Sequence, residues 1–329
     1  MLRFFRQLRQ KVLKDNKVTK YLLYALGEVV LVIIGILIAV SLNNANEARK
    51  QDKKIRTTLS LAQQEIRNAV NISTRIISFY AQKDSLVRYA LTTELSAAEL
   101  KVNRDLLFLI KTEMRLTLEN DAYHTLVKLS DDLPEKYTGT LEKLKSTYQG
   151  RWPFVEQAQN ELADKILAYN EEDVKEAPWA SDYLTGNITD EAIDYFLNDF
   201  RHKNRIASYW NSSGELVTQV AHFRTAGIYA YREINSLLSE EHKESLIDLK
   251  SYTHWVGRYE SGEIWFEIET NDSSMLLKGT SGSTELFPVG PQLFHIDGLF
   301  GRFRFSGDST QVGINLTSGL NELFLKKVR

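Results

Sequence analysis

The sequence predicts an α+β protein in three parts: a single N-terminal transmembrane helix, an elongated α-helical bundle and a small C-terminal antiparallel β-barrel. Three observations carry this prediction. One apolar run, Leu22 to Leu42, holds a single charge in 21 residues. Apolar residues then recur at steps of three and four as far as about residue 250, and at steps of two beyond it. The resulting boundaries are a basic amphipathic cytoplasmic segment at 1–20, the membrane helix at 21–43, the bundle at 44–250 and the barrel at 251–329.

Composition excludes several classes. The 41 Lys and Arg residues against 43 Asp and Glu leave a net charge of −2, so no nucleic-acid partner is expected. The absence of Cys removes disulfides, thiolate metal sites and cysteine nucleophiles. A hydrophobic content of 43% is enough to bury real cores, and the length suits about two domains.

At a rise of about 1.5 Å per residue, the apolar run covers the ~30 Å of hydrocarbon in a bilayer. It is too long for the apolar region of a cleaved signal peptide, and it exits into Asn43-Asn44-Ala45-Asn46 rather than a small-residue cleavage site. Seven Lys or Arg precede it against one acid, Asp15, which places the N-terminus in the cytoplasm and the remainder outside. Leu2, Phe5, Leu8 and Val12 fall at helical spacing among those bases; the segment is either an amphipathic helix on the anionic leaflet or a solvated basic arm. Glu28 lies inside the span, where it either contacts a neighbouring helix in an oligomer or snorkels to the interface. Gly35 and Ala39 form a small-xxx-small pair that permits close helix approach.

In the bundle, Ile55, Leu59, Ala62, Ile66, Ala69, Ser73, Ile76, Tyr80, Lys83 and Val87 alternate steps of four and three, the pattern of a long helix or coiled-coil seam. Ser96-Ala-Ala-Glu99 is a capping box that opens a second helix through Leu107, Ile110, Met114 and Leu118. Further helices are expected over 121–129, 136–148, 154–169, 189–210 and 215–238, with breaks at Pro134, Gly150–Pro153, Pro178 and Ser212–Gly214. The acidic stretch Asn170 to Asp182 reads as a loop whose Trp179 plugs a bundle end, and Glu171-Glu172-Asp173 as solvated charge.

The opening MLRFFRQLRQKVL, followed by NKVTKYLLYALGEVVLVIIGILIAVSLNNANEARK, resembles a family of single-span proteins of unassigned function widespread in Bacteroidota. The shared features are the basic start, the Lys/Tyr-rich entry, the Gly27-Glu28 pair and the Asn-rich exit. The resemblance implies a cell-envelope protein of a Gram-negative bacterium and no activity; with the orientation of the span, the expectation is an inner-membrane protein with periplasmic C-terminal domains.

After residue 250, eight short strands are expected: 256–260, 263–269, 274–278, 285–289, 292–296, 302–305, 311–316 and 322–327. Val256-Gly257-Arg258-Tyr259, Leu286-Phe287-Pro288-Val289 and Arg302-Phe303-Arg304-Phe305, in this order, are similar to the β domain appended to serine β-lactamase-like peptidases. That resemblance implies a lipocalin-like barrel but no catalysis, since no Ser is followed three residues later by Lys. On its outer face Trp265 interrupts a row of Glu263, Glu267 and Glu269, beside Arg302 and Arg304, making Trp265, Glu267, Arg302 and Arg304 a candidate interaction surface.

Phosphate-loop, zincin, nucleophile-elbow and EF-hand motifs are missing, and the six His are scattered without ligand spacing. The expected role is therefore non-catalytic, without cofactor: binding or scaffolding in the envelope, through self-association, an envelope protein or a small ligand. Membrane coupling or pore formation through Glu28, and an enzyme with an unrecognised site in the helical domain, are the alternatives.

Overall fold

The computed structural model describes residues 18–238, 245–271, 274–280, 282–296, 302–307, 312–318 and 321–328. The predicted segment 1–20 is therefore outside it except for the helical backbone from Val18, and so are His242, Glu240-Glu241 and the side chain of Arg302. The first helix, α1, runs Val18–Thr92. Internal contacts divide the chain into Met1–Thr58 and Leu59–Arg329.

In the first unit, every large apolar side chain from Tyr21 to Leu42 is exposed. An 18-residue window here reaches a mean hydropathy of 2.7, long and apolar enough to span a membrane.

In the second unit the three-four stripe of α1 turns inward as its spacing requires: Leu59, Ala62, Ile66, Ala69, Ser73, Ile76, Tyr80 and Val87 are all buried. Short helices follow, α2 (Ala97–Val102), α3 (Arg104–Leu107), α4 (Asp121–Lys128) and α5 (Thr138–Lys145), then the long α6 (Trp152–Glu176), α7 (Ala180–Leu184), α8 (Asp190–Asn198) and α9 (Phe200–Leu238). Gly227 lets α9 approach α1 closely, since a Cβ there would meet Val70 Cγ2 at 3.1 Å.

Four helix expectations are corrected. The capping box at Ser96 forms, but the helix stops at Val102 and again at Leu107 instead of reaching Leu118. Asn103 breaks it by turning its side chain to the Asp105 amide. The chain beyond is held by side chains from other helices: Lys83 Nζ donates to the Leu109 carbonyl at 2.6 Å, and Gln159 Oε1 accepts the Leu116 amide at 3.2 Å. Tertiary partners thus replace the helical ladder. The break at Gly150–Pro153 is absent, because a π-helical turn, Ser146–Arg151, leads straight into α6 with Pro153 at its tolerated first positions. Residues 170–176 continue α6 rather than forming a loop. The break at Ser212–Gly214 is absent too; Lys165 Nζ donates to Ser212 Oγ at 2.5 Å, and packing outweighs the ~1 kcal/mol helix penalty of Gly214. The chain breaks instead at Asp199, whose carboxylate accepts the Arg201 amide.

The barrel follows the expected eight strands, β1 to β8 at Gly257–Ser261, Ile264–Thr270, Met275–Gly279, Gly282–Pro288, Leu293–Ile296, Arg302–Gly307, Val312–Ser318 and Asn321–Lys327. All neighbours are antiparallel and β1 pairs with β8, so the sheet closes. Its interior is filled by Tyr259, Ile268, Met275, Phe294, Phe305 and Leu325, and a 3-10 turn, Leu249–Trp255, sets Trp255 against Phe305 at 4.5 Å. The barrel docks on the bundle. Val289 and Leu293 belong to the helical core, Arg304 Nη2 donates to the Ala81 carbonyl at 3.2 Å, and Arg232 pairs with Glu285 at 2.7 Å.

Candidate functional site

The membrane-type segment of α1 carries Glu28 half-buried, with Gly35 and Ala39 among exposed apolar neighbours. A Cβ on Gly35 would meet nothing within 4 Å, so the small face is open among the described residues.

A concave site lies in the helical part, where the end of α3, the last turns of α6 and α7 converge. Phe108 stacks on Tyr183 with ring centroids 5.1 Å apart, and Val174 and Leu184 complete an apolar wall. The cleft has a volume of about 650 Å³, the size that small-molecule sites occupy. Its polar lining is Asn170, the exposed Glu171 and Lys175, and the half-buried Lys111. The Lys111 ammonium donates to Asn170 Oδ1 and to Asp173 Oδ2, each at 2.6 Å, and stands 5.9 Å from the Tyr183 ring. Lysine has three N–H donors, so one remains for a ligand oxygen.

Asp173 is 7% exposed and anchors the floor. Its other oxygen accepts from Arg205 Nη1, while Arg205 Nη2 reaches Glu172 at 2.8 Å. The solvated reading of Glu171-Glu172-Asp173 is corrected for Asp173. The missed signal is its place in the apolar spacing Leu162, Ile166, Tyr169, Asp173, which turns it toward the core. Behind the pair, burial pushes His202 down to about 4, and Trp179 packs edge-on to Tyr183 at 5.7 Å, plugging the bundle as expected.

On the barrel, Trp265 faces out and is covered from within: the Arg258 guanidinium lies 4.5 Å over its ring and donates to Glu260 at 2.5 Å. Glu267 is half-buried on the same face, opposite Arg258 and Lys278 in register. Arg304 is not gathered with them; it ties the barrel to α1. Arg302 is placed on β6 opposite Thr317.

Residues 28–133 match the model of a family of unknown function, DUF6090. The chain is similar to that family over less than half its length, from Glu28 through α4, including Lys111 but neither Asp173 nor the barrel. No curated protein and no solved structure matches the chain.

Proposed function

We propose that this is a single-pass protein of the inner membrane in a Gram-negative envelope, with a cytoplasmic N-terminus and periplasmic bundle (44–250) and barrel (251–329), acting by binding rather than catalysis. The supporting observations are the exposed apolar run of α1, its basic leading flank, and the resemblances of the N-terminal region to Bacteroidota single-span proteins and of the barrel to a domain appended to β-lactamase-like peptidases. The observation that carries a binding role is the Lys111 cleft: apolar walls, a half-buried ammonium among polar neighbours, and ligand-sized volume. The ligand it suits is a flat, mostly apolar molecule bearing one acidic oxygen group.

Titrating the full chain in uncharged micelles with 2-naphthoate, and with the cationic 2-naphthylmethylammonium as control, tests this reading. Saturable binding of the acid alone, lost in Val174→Asp, is the expected result. Equal heats for both probes, or for wild type and variant, overturn the cleft. Phosphatase and fluorescent-protein fusions at the C-terminus test topology separately; cytoplasmic activity overturns the placement.

A second reading is favoured by one feature, an acid on an otherwise exposed apolar helix beside an open Gly35. In it Glu28 joins spans into an oligomer that couples or conducts across the membrane. Glu28→Gln should then assemble better than Glu28→Leu; equal assembly of wild type and both variants overturns it.

A further inference from the structure

Arg224 stands where α9 meets β4 and is 4% exposed. Its Nε donates to Thr74 Oγ1 at 2.8 Å and its Nη2 to the Pro288 carbonyl at 2.6 Å, while Nη1 is buried with no acceptor. His295, 8% exposed, also keeps its Nε2 without a partner. Sheet register pairs His295 with Phe287, the residue before the Pro288 that Arg224 holds, and the Arg224 charge acts on the His295 ring.

The groups that face this corner are Thr74 and Ser78 from α1, His222 from α9, Tyr252 from the 3-10 turn, and the carbonyls of Pro288 and Val289. Among the described residues none of them is an acid. The nearby carboxylate on β4, Glu285, pairs with Arg232. A guanidinium taken out of water without a counter-charge is among the costliest groups to bury, and a buried donor with no acceptor calls for an ion or a water. Water satisfies the donor and leaves the charge. An anion answers both.

We propose that this corner binds a monatomic anion of the chloride class, held between Arg224 Nη1 and the Nε2–H of His295, and that the ion fastens the barrel to the bundle. Size follows from burial: Arg224 and His295 are 4% and 8% exposed, so no open cleft leads a larger ligand to them. Electrostatics agree. Burial first, and then the neighbouring His222 and Arg224 charges, hold His295 down at about 3; burial holds Arg224 at about 10.

Chloride NMR line broadening on the full chain in uncharged micelles at neutral pH, with gluconate maintaining ionic strength, tests the site. Wild type should show saturable excess broadening that bromide displaces, and both Arg224→Met and His295→Asn, shown folded by circular dichroism, should weaken binding roughly tenfold or more. If Arg224→Met does not fold, His295→Asn decides. Broadening that does not saturate, or that persists undiminished in a folded variant, overturns the proposal and leaves the corner to a buried water.

Discussion

The hydroxyl of Tyr80 closes on the backbone of Met114, donating to its carbonyl at 3.3 Å and accepting its amide at 3.0 Å. One side chain of α1 thereby satisfies a segment that has left the helical state. Tyr80→Phe keeps the packing and removes both bonds, and should lower stability by about 1–3 kcal/mol in urea unfolding. An unchanged midpoint would mean that the segment finds other partners.

Asp173 lies between the half-buried Lys111 and the buried Arg205. Asp173→Ala leaves both without their shared carboxylate and should cost about 3–5 kcal/mol, more than loss of a surface pair. Thermal unfolding of the variant checks this, with the exposed pair variant Lys101→Ala, whose partner is Asp190, expected to be near neutral.

Acid should loosen the fold before carboxylates titrate. His202 and His295 are held at about 4 and about 3, first by burial, below the ordinary ~6.5. Their native forms are neutral, so the unfolded chain binds more protons between those values. Stability is full above about pH 6.5 and falls as pH drops toward 4 and then 3. Melting temperatures measured from pH 7.5 down to 4.5 should fall, and His202→Gln should flatten the slope.

Gly313 is held by contact, not by backbone conformation. A Cβ there would collide with the Phe324 ring and lie 2.5 Å from the Leu325 carbonyl on the paired strand β8. Gly313→Ala should destabilise the barrel by about 1–3 kcal/mol or more, read by proteolysis of the C-terminal strands. Gly262→Ala, at a φ of 60° with open space around it, should cost about 1 kcal/mol for backbone strain alone.

The cover over Trp265 is local. Trp265→Ala and Arg258→Ala should each cost about 0.5–1 kcal/mol, and the double variant little more than either, as expected for one cation–π contact. Additive losses would assign each side chain a separate role.

Period and composition by themselves determined the apolar span, the inward stripe of α1 and all eight strands, since these depend on which face of a regular element is apolar. The phase of β2 was readable for the same reason: Phe266 and Ile268 join the barrel core while Trp265 turns out. Only the tertiary structure decided where helices stop. Residues 108–120 carry helical spacing yet leave the helix because Tyr80, Lys83 and Gln159 supply their backbone partners from afar, while Gly214 stays helical because α9 is packed on both sides of it. The cleft and the Arg224 corner were invisible for a related reason. Lys111 and Asp173 lie 62 positions apart, and Arg224 and Pro288 lie 64 apart, and a charge shows whether it is solvated or buried only when distant elements close over it.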